Sequence, residues 1–115
     1  MSIDIEWERS GELLIAAIIG RLDSNTSQLC GNAIESGIGE DDHGLIMDLE
    51  KLSYISSAGL RIILRFERQF SGPGKKFAIC SLSDSVREIV SISRFDELVT
   101  VSDSRSDAIN DLSES

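Results

Sequence analysis

The chain has 115 residues and a formal net charge of -9, long enough for one domain with a buried core and too acidic to favour phosphate backbones or anionic lipid headgroups. Hydrophobic residues make up 41% and charged residues 27%, which is the balance of a globular domain and not of a disordered tail. Nucleic acid and membrane are therefore not expected as partners, whereas a basic patch on another protein would be attracted. The longest apolar run, Leu13 to Ile19, is too short to cross a bilayer. The start, "MSIDIEWERS", is acidic and alternating, unlike a secretory signal, so a cytoplasmic chain forming a single domain over residues 1–115 is expected.

In chain order, Ile3, Ile5 and Trp7 alternate with Asp4, Glu6 and Glu8, which predicts an edge strand with one wet face. The acids on that strand discourage another strand from adding to it. Ser10-Gly11 is a turn signal, and "LLIAAII" reads as a strand buried on both faces. "GRLDSNTSQL" leaves that strand and opens a helix, with Ser24, Asn25 and Thr26 all of N-cap type and Cys30, Ala33 and Ile34 facing inward. "EDDH" predicts a solvated loop and "LIMDL" a third, short strand. The stretch "LSYISSAGLRIIL" (Leu52 to Leu64) then leads into a helix with Ile62, Ile63, Phe66 and Phe70 on one face. Pro73 ends it. "FAIC" is a fourth strand, a helix carries Val86, Ile89 and Val90, "LVTV" is a fifth strand, and a last helix carries Ala108, Ile109 and Leu112. The order β-β-α-β-α-β-α-β-α predicts an α/β domain on a mixed, mostly parallel five-stranded sheet.

Function in such sheets sits at the carboxyl ends of the strands. Two loops qualify, "GRLDSNT" and the serine pair Ser56-Ser57, and Asp23 could come near Ser57. A serine at a helix start is commonly an N-cap, but no capping box follows: Gly59 and Leu60 stand where Glu or Gln would. Ala58 and Gly59 leave the first turn bare, which a close approach by another surface would explain. A hydrolytic serine needs a base. The lone histidine, His43, precedes the third strand while Ser57 follows it, so the two are expected at opposite ends of the sheet. "SGPGKKF" does not match a P-loop, and "EDDH" lacks a second ligand cluster, so neither a cofactor nor a metal site is expected. Cys30 and Cys80 lie in apolar segments outside any CxxC pair and read as small buried hydrophobes. Ser57, Arg61, Arg65 and Arg68 share one helical face, either solvated with local pairing to Glu67 or a docking surface for an acidic partner.

"MDLEKLSYISSAGLRIIL" (Met47 to Leu64) and "GRLDSNT" (Gly20 to Thr26) resemble the two signatures of STAS domains of the anti-sigma factor antagonist type. The element order agrees as well. The resemblance implies a regulator and no enzyme. Its partners would be an ATP-dependent serine kinase that doubles as the anti-sigma factor, and a matching phosphatase. It implies phosphorylation of Ser57, with Asp23 close by. Many members carry aspartate immediately before that serine; here Ser56 stands there and is an alternative acceptor. The implied contact residues are Asp23, Ser24, Ser56, Ser57, Ala58, Gly59, Arg61 and Arg65. The alternative within the same resemblance is a constitutive scaffold subunit of a transporter or signalling complex, docking through the arginines.

Overall fold

Alternating polarity on one strand and an almost unbroken apolar run on the next make the hairpin on which the sheet is built. In the computed structural model, which describes residues 3–113, β1 (Asp4–Ser10) pairs antiparallel with β2 (Leu13–Leu22). Gly11 makes the tight connection at φ +60, a left-handed conformation that glycine adopts without steric cost. β3 (Gly44–Asp48), β4 (Leu52–Ile55), β5 (Lys76–Cys80) and β6 (Thr100–Ser102) follow. The sheet runs β1-β2-β3-β5-β6, and every pairing after the hairpin is parallel.

The sheet has six strands where the sequence pattern predicts five. The additional strand is β4, whose burial runs in-out-out-in and so lacks the alternation that marks a strand. β2 is ten residues long and β3 only five. β3 takes Leu13–Ala17 of β2, and β4 takes Gly20–Leu22 farther along the same edge. The register shifts between Gly20 and Arg21, where Gly20 has φ +121, so the sheet forks there. The segment "GRL", expected to leave the sheet, is the end of β2.

Three helices, α1 (Ser27–Gly37), α2 (Ser57–Gln69) and α3 (Asp84–Ile92), cover one face over the larger core, which includes Leu14, Ile18, Leu22, Ile34, Ile63 and Phe66. A smaller cluster on the opposite face, Leu13, Ile15, Ile46, Ala78 and Cys80, is closed by Ala108 and Leu112 of α4 (Arg105–Ser113). A short 3-10 helix lies at Phe95–Glu97. On α1 the inward residue is Gly31 and not Ala33, which is exposed. Gly37 is bare for a definite reason, because a Cβ there would lie 2.4 Å from the Trp7 ring.

The "EDDH" loop is not uniformly solvated. Asp42 is buried and accepts from Arg9 Nε at 2.9 Å, Arg9 Nη2 at 2.8 Å and the Gly39 N–H at 2.7 Å. Arg9 holds its carboxyl below the usual range, against burial, which pushes it up. A depressed folded pKa stabilises above the unfolded value, about 3.9, and that contribution is lost as the pH falls through the folded one. Asp42→Asn is expected to lower stability by about 1–2 kcal/mol at pH 7, since Arg9 is half exposed. Urea melts should show the gap to wild type narrowing as the pH drops below 4.

Candidate functional site

β2 and β4 run parallel and end together, with Leu22 opposite Ile55. The Ser56 N–H donates to the Leu22 carbonyl at 2.9 Å, so the loops after both strands leave the carboxyl end of the fork side by side. The sequence-predicted residues Asp23, Ser24, Ser56 and Ser57 all fall on these two loops and the helix start that follows.

The first loop is folded by Asp23. Its Oδ1 accepts from the Asn25 N–H at 2.9 Å and the Thr26 N–H at 3.1 Å, an Asx-type turn. Burial pushes this carboxyl up, but the Asn25 and Thr26 bonds and nearby Arg21 outweigh that and hold it below its usual value. The Thr26 hydroxyl donates to the Arg21 carbonyl at 2.6 Å, and the Ser27 hydroxyl to the Asp23 carbonyl at 2.5 Å. Asp23 therefore shapes its own loop, while Ser24 stands exposed at the tip.

The second loop divides its small residues among different tasks. Ser56 is extended at φ -103, and its Oγ accepts from the Gly59 N–H at 3.4 Å as the N-cap of α2. Ser57 is the first residue of α2, exposed, and its hydroxyl makes no hydrogen bond among the described residues. Ala58 is half-buried. Gly59 is buried, and a Cβ there would lie 2.7 Å from Ile55 Cγ1 and 2.9 Å from both Leu22 Cγ and the Leu22 carbonyl oxygen. The approaching surface that requires a glycine here is the chain's own fork, where the expectation was that a partner's surface would explain the bare first turn.

The arginine face is only partly free. Arg65 pairs with Glu35 of α1 at 3.0 Å, and Gln69 donates to the other Glu35 oxygen at 3.1 Å. A Cβ on Gly31 would lie 3.0 Å from Arg65 Nη1, so the bare glycine lets the guanidinium cross between the helices. The pairing is thus across α1 and α2 and not to Glu67. Arg61 and Arg68 form no ion pair among the described residues.

One feature beside the serine loop has no trace in the sequence pattern. Arg21 lies over the Tyr54 ring at 4.4 Å, with its Nε 3.9 Å from Asp23 Oδ2. The two residues are cross-strand neighbours, a relation visible only once β4 is known to pair with β2. His43 sits at the other end of the sheet, its Nδ1 3.4 Å from Glu12 beside the hairpin turn. Burial pushes the Cys30 thiol up to about 12 and the Cys80 thiol up to about 11, so neither is an activated nucleophile.

A forked mixed sheet with an exposed serine opening the helix after the fork is an α/β module of the STAS type. The chain belongs to the STAS domain family, whose model matches residues 4–108. A Bordetella bronchiseptica relative, BtrV, named as a candidate anti-sigma factor antagonist, is 31% identical over 93 residues, covering 81% of this chain and 80% of its own. Among solved structures, an anti-sigma factor antagonist from Mycobacterium paratuberculosis superposes with a TM-score of 0.89 at 18% identity, covering 98% and 96% of the two chains. The unphosphorylated anti-sigma factor antagonist SpoIIAA gives 0.76 at 19% identity, covering 95% and 96%. Its phosphorylated form from Bacillus gives 0.68 at 18%, covering 95% and 99%. At these identities the structures establish the fold. No helix among the described residues is long and apolar enough to cross a membrane.

The division of labour in the loop is open to direct measurement by chemical denaturation. Ser56→Ala is expected to cost about 1 kcal/mol as a lost cap. Gly59→Ala should cost about 1–2 kcal/mol, because overpacking against Leu22 and Ile55 exceeds the helical gain of alanine. Ser57→Ala should stay within about 0.5 kcal/mol of wild type.

Proposed function

We propose that this protein is a phosphorylation-switched, cytoplasmic regulator of the anti-sigma factor antagonist type, with Ser57 as the switch. Its unphosphorylated form docks on an ATP-dependent serine kinase that also serves as the anti-sigma factor. Phosphorylation carries the γ-phosphoryl group of ATP to Ser57 Oγ, the hydroxyl proton is lost, and ADP leaves. A matching phosphatase resets the serine by hydrolysis to inorganic phosphate. The observation that carries this reading is the contrast between the two serines. Ser56 spends its oxygen on the Gly59 N–H, while Ser57 presents an exposed hydroxyl with no partner among the described residues.

The physics suits a switch. A phosphate adds about -1.5 to -2 charges at a helix start, a position that favours anions, so the fold tolerates it. A protein surface packed on Ala58 and the two loops does not tolerate it, because taking such a charge out of water costs several kcal/mol. In this reading the contact set is Ser24, Ser56, Ser57, Ala58 and Arg61. Asp23 and Gly59 hold the loops in place from within. The constitutive scaffold docking through an arginine stripe is less favoured, since Arg65 in the middle of that stripe is engaged by Glu35.

Incubating the protein with ATP and an extract of its own cells is expected to place phosphate on Ser57, read by peptide mass mapping of residues 52–61. Ser57→Asp is expected to lose at least 100-fold in affinity for the co-purifying kinase, measured by titration calorimetry. An unmodified peptide across growth conditions, with Ser57→Asp binding like wild type and Arg61→Glu failing to bind, would transfer the assignment to the scaffold.

A further inference from the structure

Three arginines of this chain are committed to internal carboxylates: Arg9 to Asp42 at 2.8 Å, Arg65 to Glu35 at 3.0 Å and Arg105 to Asp48 at 2.8 Å. Arg61 differs. It is exposed on α2, one turn after Ser57, and has no hydrogen bond or ion pair among the described residues. Resting on the assignment of Ser57 as the phosphorylated residue, we propose that its phosphate is captured by Arg61 of the same helix, so that one modification both adds charge and withdraws a cation from the docking surface.

The helix dictates the pairing. Residues four apart stand one above the other with Cβ atoms about 5–6 Å apart. Helical side chains lean toward the N-terminus, so Arg61 points back over Ser57 and not away from it. An anion placed N-terminal to a cation at this spacing is the favourable order. The first turn of α2 carries no acid, and no carboxylate among the described residues pairs with the Arg61 guanidinium. The planar guanidinium fork matches phosphate oxygens, and charge-assisted bonds of this kind are the strong ones. The other nearby cation is less available. Arg21 lies over Tyr54 and beside Asp23, on the strand that precedes the first loop. Arg68 is about two turns beyond Arg61 along α2.

A partner that reads Arg61 through an acidic group thus meets two changes on phosphorylation: a new dianion and a missing cation. In the unphosphorylated form Arg65, and not Arg61, pairs with Glu35 of α1.

The test uses the full chain with phosphoserine installed at position 57 during synthesis, so that it does not depend on any kinase. Phosphorus NMR titration reads the second ionisation of the phosphate, ordinarily near pH 6. In the otherwise wild-type protein this midpoint is expected at least about 0.3 below that of Arg61→Gln, a twofold change in proton affinity. Arg68→Gln and Arg21→Gln should titrate like wild type, and the Arg61 Nε–H resonance should move on phosphorylation. Identical midpoints in wild type and Arg61→Gln, or a shift that follows Arg21→Gln instead, would overturn the pairing. Because the phosphate is installed directly, a failed pairing leaves the Ser57 switch standing, and an unmodified Ser57 in cells sinks the switch while leaving the pairing measurable.

Discussion

Everything at the candidate site hangs from the last three residues of β2. A ten-residue strand beside a five-residue one leaves backbone donors and acceptors past the end of β3 that must find partners. β4 supplies them, and the Ser56 N–H closes the ladder on the Leu22 carbonyl. That arrangement decides where α2 begins, which serine caps it and which serine is left facing water. It also sets the need for a glycine. Leu22 and Ile55 converge under the first turn of α2, and only a residue without a side chain fits over them. The bare first turn is therefore a consequence of a packing constraint inside the sheet, and the exposed hydroxyl is what remains once that constraint is met.

The alternation of apolar runs made most of this architecture legible in the sequence. The hairpin, the alternating helices and the four longer strands follow from period-two and period-3.6 patterns, and the motifs "GRLD" and "SSAGL" mark the two loops that the fork brings together. β4 was not legible because it buries only Leu52 and Ile55, three apart, a spacing equally at home in a helix. The tasks of the small residues were not legible either. Gly31, Gly37 and Gly59 look alike in sequence, yet each is bare to admit a different side chain or strand end: Arg65, Trp7 and Leu22 with Ile55. Asp42 and Arg65 looked solvated because their partners, Arg9 and Glu35, lie about thirty residues away in the chain. Long-range pairs of this kind carry no local signal.

The charge balance reads differently once those pairs are known. A chain with a net charge of -9 has few cations, and it spends several of them as cross-links between elements. Arg9 ties β1 to the loop before β3, Arg65 ties α2 to α1, and Arg105 reaches from α4 to Asp48 of β3 and Glu8 of β1. Positive charge left over near Ser57 is accordingly scarce, which makes Arg61, one turn along the helix and without an ion pair among the described residues, conspicuous to an approaching surface.

α4 has a consequence for how the molecule comes apart. It is a nine-residue helix that places Ala108 and Leu112 in the second cluster with Ile109 packed against it, and it is held by Arg105, by a Ser102–Asp111 hydrogen bond at 2.8 Å and by Lys76 on the Leu112 carbonyl. Polar anchors at both ends with little apolar area between them describe an element that can lift as a unit before the rest unfolds. Its lifting uncovers Leu13, Ile15, Ile46 and Ala78, a strip of bare sheet contiguous across three strands. A protease or a fusion partner acting within α4 would therefore leave the serine loop intact and turn the opposite face of the sheet into an adhesive one.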